Sequence, residues 1–82
     1  MELTVNAALN GAMMSREAAQ IAGRMSEFQS RVLLRHGDMT VNAKSVMGIL
    51  SLGIRDGMPV TILVSGEDEA RAACVLSGLL GA

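Results

Sequence analysis

Two widely separated segments alternate between apolar and polar residues, with the period of two that predicts half-buried β-strands. Leu3, Val5 and Ala7 form the apolar side of the first segment. The second segment spans residues 58–65, and its apolar side consists of three β-branched residues: Val60, Ile62 and Val64. Pro59 lies near the start of this segment, where a strand tolerates proline. Residues 58–65 are therefore predicted to form the most regular strand of the chain.

Between these segments the apolar spacing changes to three or four residues, which predicts an amphipathic helix over residues 15–28. Its apolar stripe contains Ala18, Ile21, Ala22, Met25 and Phe28. Polar residues occupy the other side of the helix: Arg16, Gln20, Arg24 and Glu27. Ser15 is predicted to be the N-cap, because its hydroxyl can accept from a backbone N–H that lacks a helical partner.

A hairpin and a short helix are predicted next. Residues 31–35 and 39–42 alternate around the turn residues His36, Gly37 and Asp38. Residues 44–52 have apolar residues on nearly every side, and Ser45 stands at the N-cap position of the helix they predict. Ile49 and Leu52 are predicted to face the core of the protein.

A last helix is predicted to follow Gly66. Its first turn is expected to contain Glu67, Asp68 and Glu69, whose negative charges complement the helix dipole. The apolar face consists of Ala72, Ala73, Leu76, Leu79 and Leu80, and Gly81 is predicted to end the helix. The order is βαββαβα, which indicates an α+β open-faced sandwich with a four-stranded antiparallel sheet and three helices on one face. Residues 1–82 are predicted to form one domain.

Composition narrows the possible functions of the 82-residue chain. Half of the residues are hydrophobic, which excludes a disordered chain. Phe28 is the only aromatic residue, so the core is predicted to consist of aliphatic side chains and seven methionines. The net charge is −1 and no basic run is present, so we expect no nucleic-acid binding.

Metal, cofactor and membrane functions also lack support in the sequence. The chain contains one cysteine and one histidine, too few for a usual zinc site, and no cofactor motif is present. Cys74 is predicted to be a buried or half-buried apolar residue rather than a reactive thiol. No signal peptide or apolar stretch of about 18 residues is visible, so we expect a cytoplasmic protein without membrane insertion.

Residues 41–54, VNAKSVMGILSLGI, closely resemble the regulatory-serine region of HPr, the histidine-containing phosphocarrier of the bacterial sugar phosphotransferase system. Members of this family have the pattern K-S-[IV]-M-G-[VIL]-[ML]-S-L-G in this region. The element order is also similar, and the resemblance extends over essentially the whole chain. It implies the HPr fold, a protein that is not an enzyme, and a kinase-phosphorylated serine at Ser45. Lys44, the neighbouring residue, is expected to pair with the added phosphate.

The second family motif, G-[IL]-H-A-R-P-A, aligns with residues 12–18 and differs at decisive positions. Met14 occupies the position of the phosphoacceptor histidine, and Glu17 that of the proline. A thioether cannot form the phosphoryl intermediate that an imidazole forms. Glu17 also adds a negative charge that repels an incoming phosphoryl group. The chain is therefore predicted not to be a competent phosphohistidine carrier.

The resemblance implies that the chain acts by regulatory protein–protein binding. The predicted partner-binding residues are Met14, Arg16, Ala19, Gln20, Arg24, Val46, Met47 and Leu50. Met13 or Met14 is expected to enlarge the apolar part of this surface, since methionine adapts to several partners. The implied partners are HPr kinase, a transcriptional regulator and Enzyme I.

Two alternatives remain open at this point. One is a phosphocarrier with an unusual acceptor, either Ser15 or His36, although a phosphoserine ester is too stable to pass on its phosphoryl group readily. His36 is expected to be an exposed turn residue. The other alternative is an HPr-fold adaptor or subunit that binds its partner independently of phosphorylation.

Overall fold

The computed structural model describes residues 1–81 and has the predicted order βαββαβα. The strands are β1 (Glu2–Asn6), β2 (Arg31–His36), β3 (Met39–Asn42) and β4 (Pro59–Ser65). The helices are α1 (Ser15–Met25), α2 (Val46–Leu52) and α3 (Glu69–Leu79). The predicted α+β class and the predicted type of every element are confirmed.

The strands form one antiparallel sheet in the order β1-β4-β2-β3. Thr4 pairs with Thr61 across β1 and β4, and their hydroxyls lie 2.9 Å apart. β4 pairs on both sides, and its β-branched residues suit a pleated surface that neighbouring strands cover. The strand with the most regular alternation therefore lies in the interior of the sheet.

The core lies between one face of the sheet and the three helices. The sheet contributes buried aliphatic residues from its two inner strands: Val32, Leu34, Val60, Ile62 and Val64. The helices contribute Ala18, Ile21, Ala22, Met25, Ile49, Leu52, Ala72, Ala73 and Leu76. The predicted stripe of α1 and the predicted inward positions of Ile49 and Leu52 are confirmed. Removal of these side chains from water is the main driving force for the fold.

Individual methionine and cysteine positions correct the sequence predictions. Met13 is buried, so it does not enlarge an exposed surface, whereas Met14 and Met47 are exposed. Cys74 is exposed, and the prediction that it is buried or half-buried is wrong. In α3 the buried positions are Ala72, Ala73 and Leu76, and each residue turns about 100° from the previous one, which carries Cys74 away from the core.

Helix ends differ by a few residues from the predicted limits. α1 ends at Met25 instead of Phe28, and the Ser26 hydroxyl donates to the Ala22 carbonyl at that end. α3 begins at Glu69, with Asp68 as its N-cap, so Glu67 precedes the helix. The Asp68 carboxylate bonds to the backbone of Gln29 and Ser30 instead of the first turn of α3. This long-range contact fixes the start of the helix.

Over residues 1–81 no helix has both the length and the apolar character that a bilayer span requires. In the same part of the chain, no three histidine, cysteine, aspartate or glutamate side chains converge in a way that suits a metal ion.

Candidate functional site

The N-terminus of α1 presents Met14 to solvent. The preceding residue, Met13, is buried, and its backbone N–H donates to the Ile54 carbonyl at 2.8 Å. Met14 is the N-cap residue, with an extended backbone, and its side chain is 65% exposed. The buried methionine therefore anchors the segment, and the next side chain projects outward.

The Glu17 side chain forms a capping hydrogen bond in the first turn of α1. Its Oε1 accepts from the Met14 backbone N–H at 2.8 Å, the reverse half of a capping box. The prediction that Ser15 is the N-cap is wrong, because Ser15 is the first residue of the helix itself. The acidic side chain in the family's proline position thus satisfies a backbone donor in this protein.

The predicted binding residues of α1 share the exposed side of the helix: Arg16, Ala19, Gln20 and Arg24. Their spacing places them opposite the buried stripe, as the periodicity predicted. Arg24 forms an exposed ion pair with Glu27 at 3.6 Å, a contact of small energetic weight. Arg16 makes no ion pair with any of residues 1–81. Its guanidinium is therefore available to a partner.

Ser45 caps α2 as predicted. Its Oγ accepts from the Gly48 backbone N–H at 3.1 Å, and its own carbonyl accepts from Ile49 at 3.0 Å. A Cβ on Gly48 would lie 3.3 Å from the Asn42 carbonyl oxygen and 3.4 Å from the Ser45 Cβ. The glycine of the serine motif therefore lets the first turn of α2 pack closely against the end of β3.

α2 carries the most exposed of the large apolar side chains in residues 1–81. Met47 is 77% exposed, while Val46 and Leu50 are half-buried beside it. α1 packs directly against α2, so the predicted binding residues lie on two adjoining helices. The exposed residues of α1, together with Met14, Val46, Met47 and Leu50, are called the helical surface below.

Lys44 lies next to Ser45, but its ammonium group already has a partner. Nζ donates to the Phe28 carbonyl oxygen at 2.8 Å, which connects the end of β3 to the segment after α1. An ammonium group has three N–H donors, so two remain for other acceptors. Sequence reasoning assigned Lys44 only to phosphate, because a carbonyl 16 residues away leaves no local pattern.

His36 does not lie in the hairpin turn as predicted. It is the last residue of β2 and is half-buried. Its Nδ1 lies 2.8 Å from the Pro59 carbonyl oxygen, and since that oxygen only accepts, Nδ1 carries the proton. The ring is therefore anchored to the end of β4.

Asp56 is a structural residue of this region to which the sequence analysis assigned no role. Its Oδ1 accepts from the Leu9 backbone N–H at 3.0 Å, and its own N–H donates to the Gly11 carbonyl at 2.9 Å. Asp56 thereby holds the segment that leads into α1. That segment, with Met14 and Glu17, lines an open depression of about 390 Å³ at the N-terminal end of α1.

Comparison with known proteins identifies the class to which this fold and surface belong. The family described as "PTS HPr component phosphorylation site" matches residues 2–81. The chain is 38% identical to the HPr-like protein Crh of Bacillus subtilis over 68 residues, 83% of this chain and 80% of that protein. It is also 38% identical to the phosphocarrier protein HPr of Xylella fastidiosa over 78 residues, 95% of this chain and 85% of that protein.

Solved structures agree with the sequence relatives. HPr from Bacillus anthracis has a TM-score of 0.91 at 32% identity, covering 96% of this chain and 94% of that chain. HPr-C-His from Thermoanaerobacter tengcongensis also has a TM-score of 0.91, at 33% identity, with 99% and 91% covered. These relatives are phosphocarrier proteins HPr and the HPr-like protein Crh. The chain belongs to the HPr family.

Membership confirms the resemblance drawn from the serine motif. HPr and Crh proteins are phosphocarriers or regulators and not enzymes, and they interact with phosphotransferase-system proteins and with regulators. The protein is therefore of the phosphotransferase and catabolite-regulation type.

Proposed function

We propose that this protein is a regulatory member of the HPr family that does not carry phosphohistidine and acts by binding other proteins through the helical surface. The observation that carries the proposal is the position of Met14, the exposed N-cap of α1, where the family motif has its phosphoacceptor histidine. A thioether offers no nitrogen on which a labile phosphoryl group can form. The position therefore presents an exposed apolar side chain that has no phosphoacceptor nitrogen.

Phosphorylation of Ser45 is proposed as the regulatory event. The hydroxyl is at the N-terminus of α2, where the backbone N–H of Gly48 already faces it at 3.1 Å. A phosphate in this position meets the positive end of the helix dipole, so the fold tolerates the added charge. The new charge lies two residues from Met47 and changes the electrostatics of the helical surface.

The helical surface supports binding to a partner with an apolar pocket and an acidic rim. Met14 and Met47 are exposed by 65% and 77%, and flexible thioethers adapt to pockets of different shape. Arg16 and Arg24 provide positive charge, which favours fast and specific association more than high affinity. We propose HPr kinase, a transcriptional regulator and Enzyme I as partners, in the bacterial cytoplasm where HPr proteins work.

The kinase reaction tests this proposal directly. The protein is incubated with ATP and a purified HPr kinase, and intact mass is measured for the unmodified chain and for the S45A and S51A variants. Ser51 is an exposed serine on the same helix and provides the matched control. We expect one added phosphoryl group in the unmodified chain and in S51A, and none in S45A. A chain that gains no phosphoryl group would contradict the regulatory proposal.

A phosphate-independent adaptor is the second candidate function, favoured by the exposure of Met47 in the unphosphorylated protein. The two candidates differ in how phosphorylation affects the partner. An adaptor binds the same partner with equal affinity before and after modification of Ser45. A regulator binds it at least about tenfold more tightly in one of the two forms, which is within the usual range of coupling between two sites.

A further inference from the structure

Glu17 lies in the first turn of α1, three residues after Met14. Its half-buried carboxylate is fixed by the 2.8 Å hydrogen bond from the Met14 backbone N–H. The hydrogen bond therefore keeps the charge close to residue 14. No other carboxylate in residues 1–81 bonds to this residue.

We propose that Glu17 is a specificity-determining residue that opposes phosphoryl acceptance at position 14 independently of the missing histidine. The inference rests on the proposed function and deepens it. The first change is the replacement of the histidine nucleophile by Met14. The second is the Glu17 carboxylate, which is still present when a histidine is restored at position 14. Two separate changes therefore oppose phosphoryl acceptance at position 14.

The reaction that Glu17 opposes is nucleophilic substitution at phosphorus. An unprotonated imidazole nitrogen attacks the phosphoryl donor, the new N–P bond forms, and the bond to the leaving group breaks. The product carries up to two negative charges about 6 Å from the Glu17 carboxylate, and at that distance in water the repulsion disfavours it about tenfold. The same carboxylate stabilises the imidazolium form, which is not nucleophilic.

Chemical phosphorylation with potassium phosphoramidate tests the inference without any partner protein. In this reaction the imidazole attacks phosphorus, the P–N bond of the reagent breaks, and ammonia leaves. Three variants are compared: M14H, M14H/E17Q and M14H/E27Q. Glutamine keeps the capping acceptor and removes only the charge. Glu27 is the matched acidic control, because it follows α1 and its carboxylate pairs with Arg24. His36, present in every variant, is the internal reference.

The measured quantity is phosphorylation at position 14 relative to His36, from peptide mass and ³¹P NMR. We expect M14H/E17Q to exceed M14H about tenfold, and M14H/E27Q to equal M14H. Equal ratios in M14H and M14H/E17Q would overturn the inference. So would an absence of phosphorylation at position 14 in all three variants while His36 reacts.

The pKa of the introduced imidazole gives a readout that a purely structural role of Glu17 would not change. NMR titration should show a pKa about half a unit lower in M14H/E17Q than in M14H, since one carboxylate about 6 Å away has been neutralised. Equal pKa values would also contradict the inference. Because neither measurement uses kinase, Enzyme I or Ser45, failure here is distinct from failure of the regulatory proposal.

Discussion

The carboxylate of Asp68 holds Ser30 from two directions, accepting from its backbone N–H at 2.9 Å and from its hydroxyl. It also accepts from the Gln29 backbone N–H at 2.9 Å. The contact joins the start of α3 to the entry of β2, 38 residues earlier. The Ser30 hydroxyl, followed by the Gln29 N–H, lowers the pKa of Asp68 from 3.8 to about 2.

This lowered pKa predicts how stability depends on pH. In the unfolded chain the carboxyl has its ordinary pKa, so acid protonates the unfolded state first. The stabilisation by Asp68 is therefore complete above about pH 5 and is lost as the pH falls to about 2. D68N should lower the Tm at pH 7, and its Tm should approach that of the unmodified chain near pH 2. Thermal unfolding followed by circular dichroism across this range measures the difference.

E67Q provides the control for that experiment, because Glu67 is an exposed neighbour that makes no hydrogen bond or ion pair within residues 1–81. Its Tm should follow that of the unmodified chain at every pH. Equal Tm values for D68N and the unmodified chain at pH 7 would contradict the assigned role of Asp68.

Gly66 is expected to be essential for the approach of α3 to β2. A Cβ at this position would lie 2.6 Å from the Ser30 Cα, and the backbone φ of +148° disfavours any L side chain. G66A should therefore lower the free energy of unfolding by at least about 2 kcal/mol. In contrast, Gly23 lies within α1 with no atom within 4 Å of its added Cβ, so G23A should stabilise by about 0.5–1 kcal/mol. Urea denaturation compares the two, and a G66A chain as stable as the unmodified one would refute the steric argument.

Met47 is expected to contribute to binding without contributing to stability. Because its side chain is 77% exposed, M47D should change the free energy of unfolding by less than about 0.5 kcal/mol. If the kinase docks on the helical surface, M47D should lower kcat/KM for phosphorylation of Ser45 at least about tenfold. M39D is the control, since Met39 is also exposed but lies at the β2–β3 hairpin. Equal losses in M47D and M39D would argue against a specific docking role.

Sequence periodicity predicted the elements of this fold because each buried face follows a local repeat. The stripe from Ala18 to Phe28 and the alternation of Val60, Ile62 and Val64 both identify the core side correctly. Cys74 was misassigned because apolar character alone does not determine the side of a helix in a run of small residues. The order of strands in the sheet was also not predicted, since pairing between distant segments leaves no local pattern.

Those features of the helical surface that depend on neighbouring residues within one helix were predicted from the sequence. The Ser45 cap and the exposure of Arg16, Gln20 and Met47 follow from helix geometry, and the structure agrees. The partners of Lys44 and Asp68 depend on chain segments 16 and 38 residues away. No spacing rule within one helix or strand identifies such contacts, so they required the three-dimensional structure.

The position of β1 beside β4 has a consequence for the kinetics of folding. Glu2 pairs with Leu63, so this edge of the sheet forms only when a loop of about 60 residues closes. The β2–β3 hairpin and α1 depend on contacts between near neighbours in sequence, which form faster than contacts between distant segments. Pairing of β1 with β4 is therefore expected to be a late step in folding.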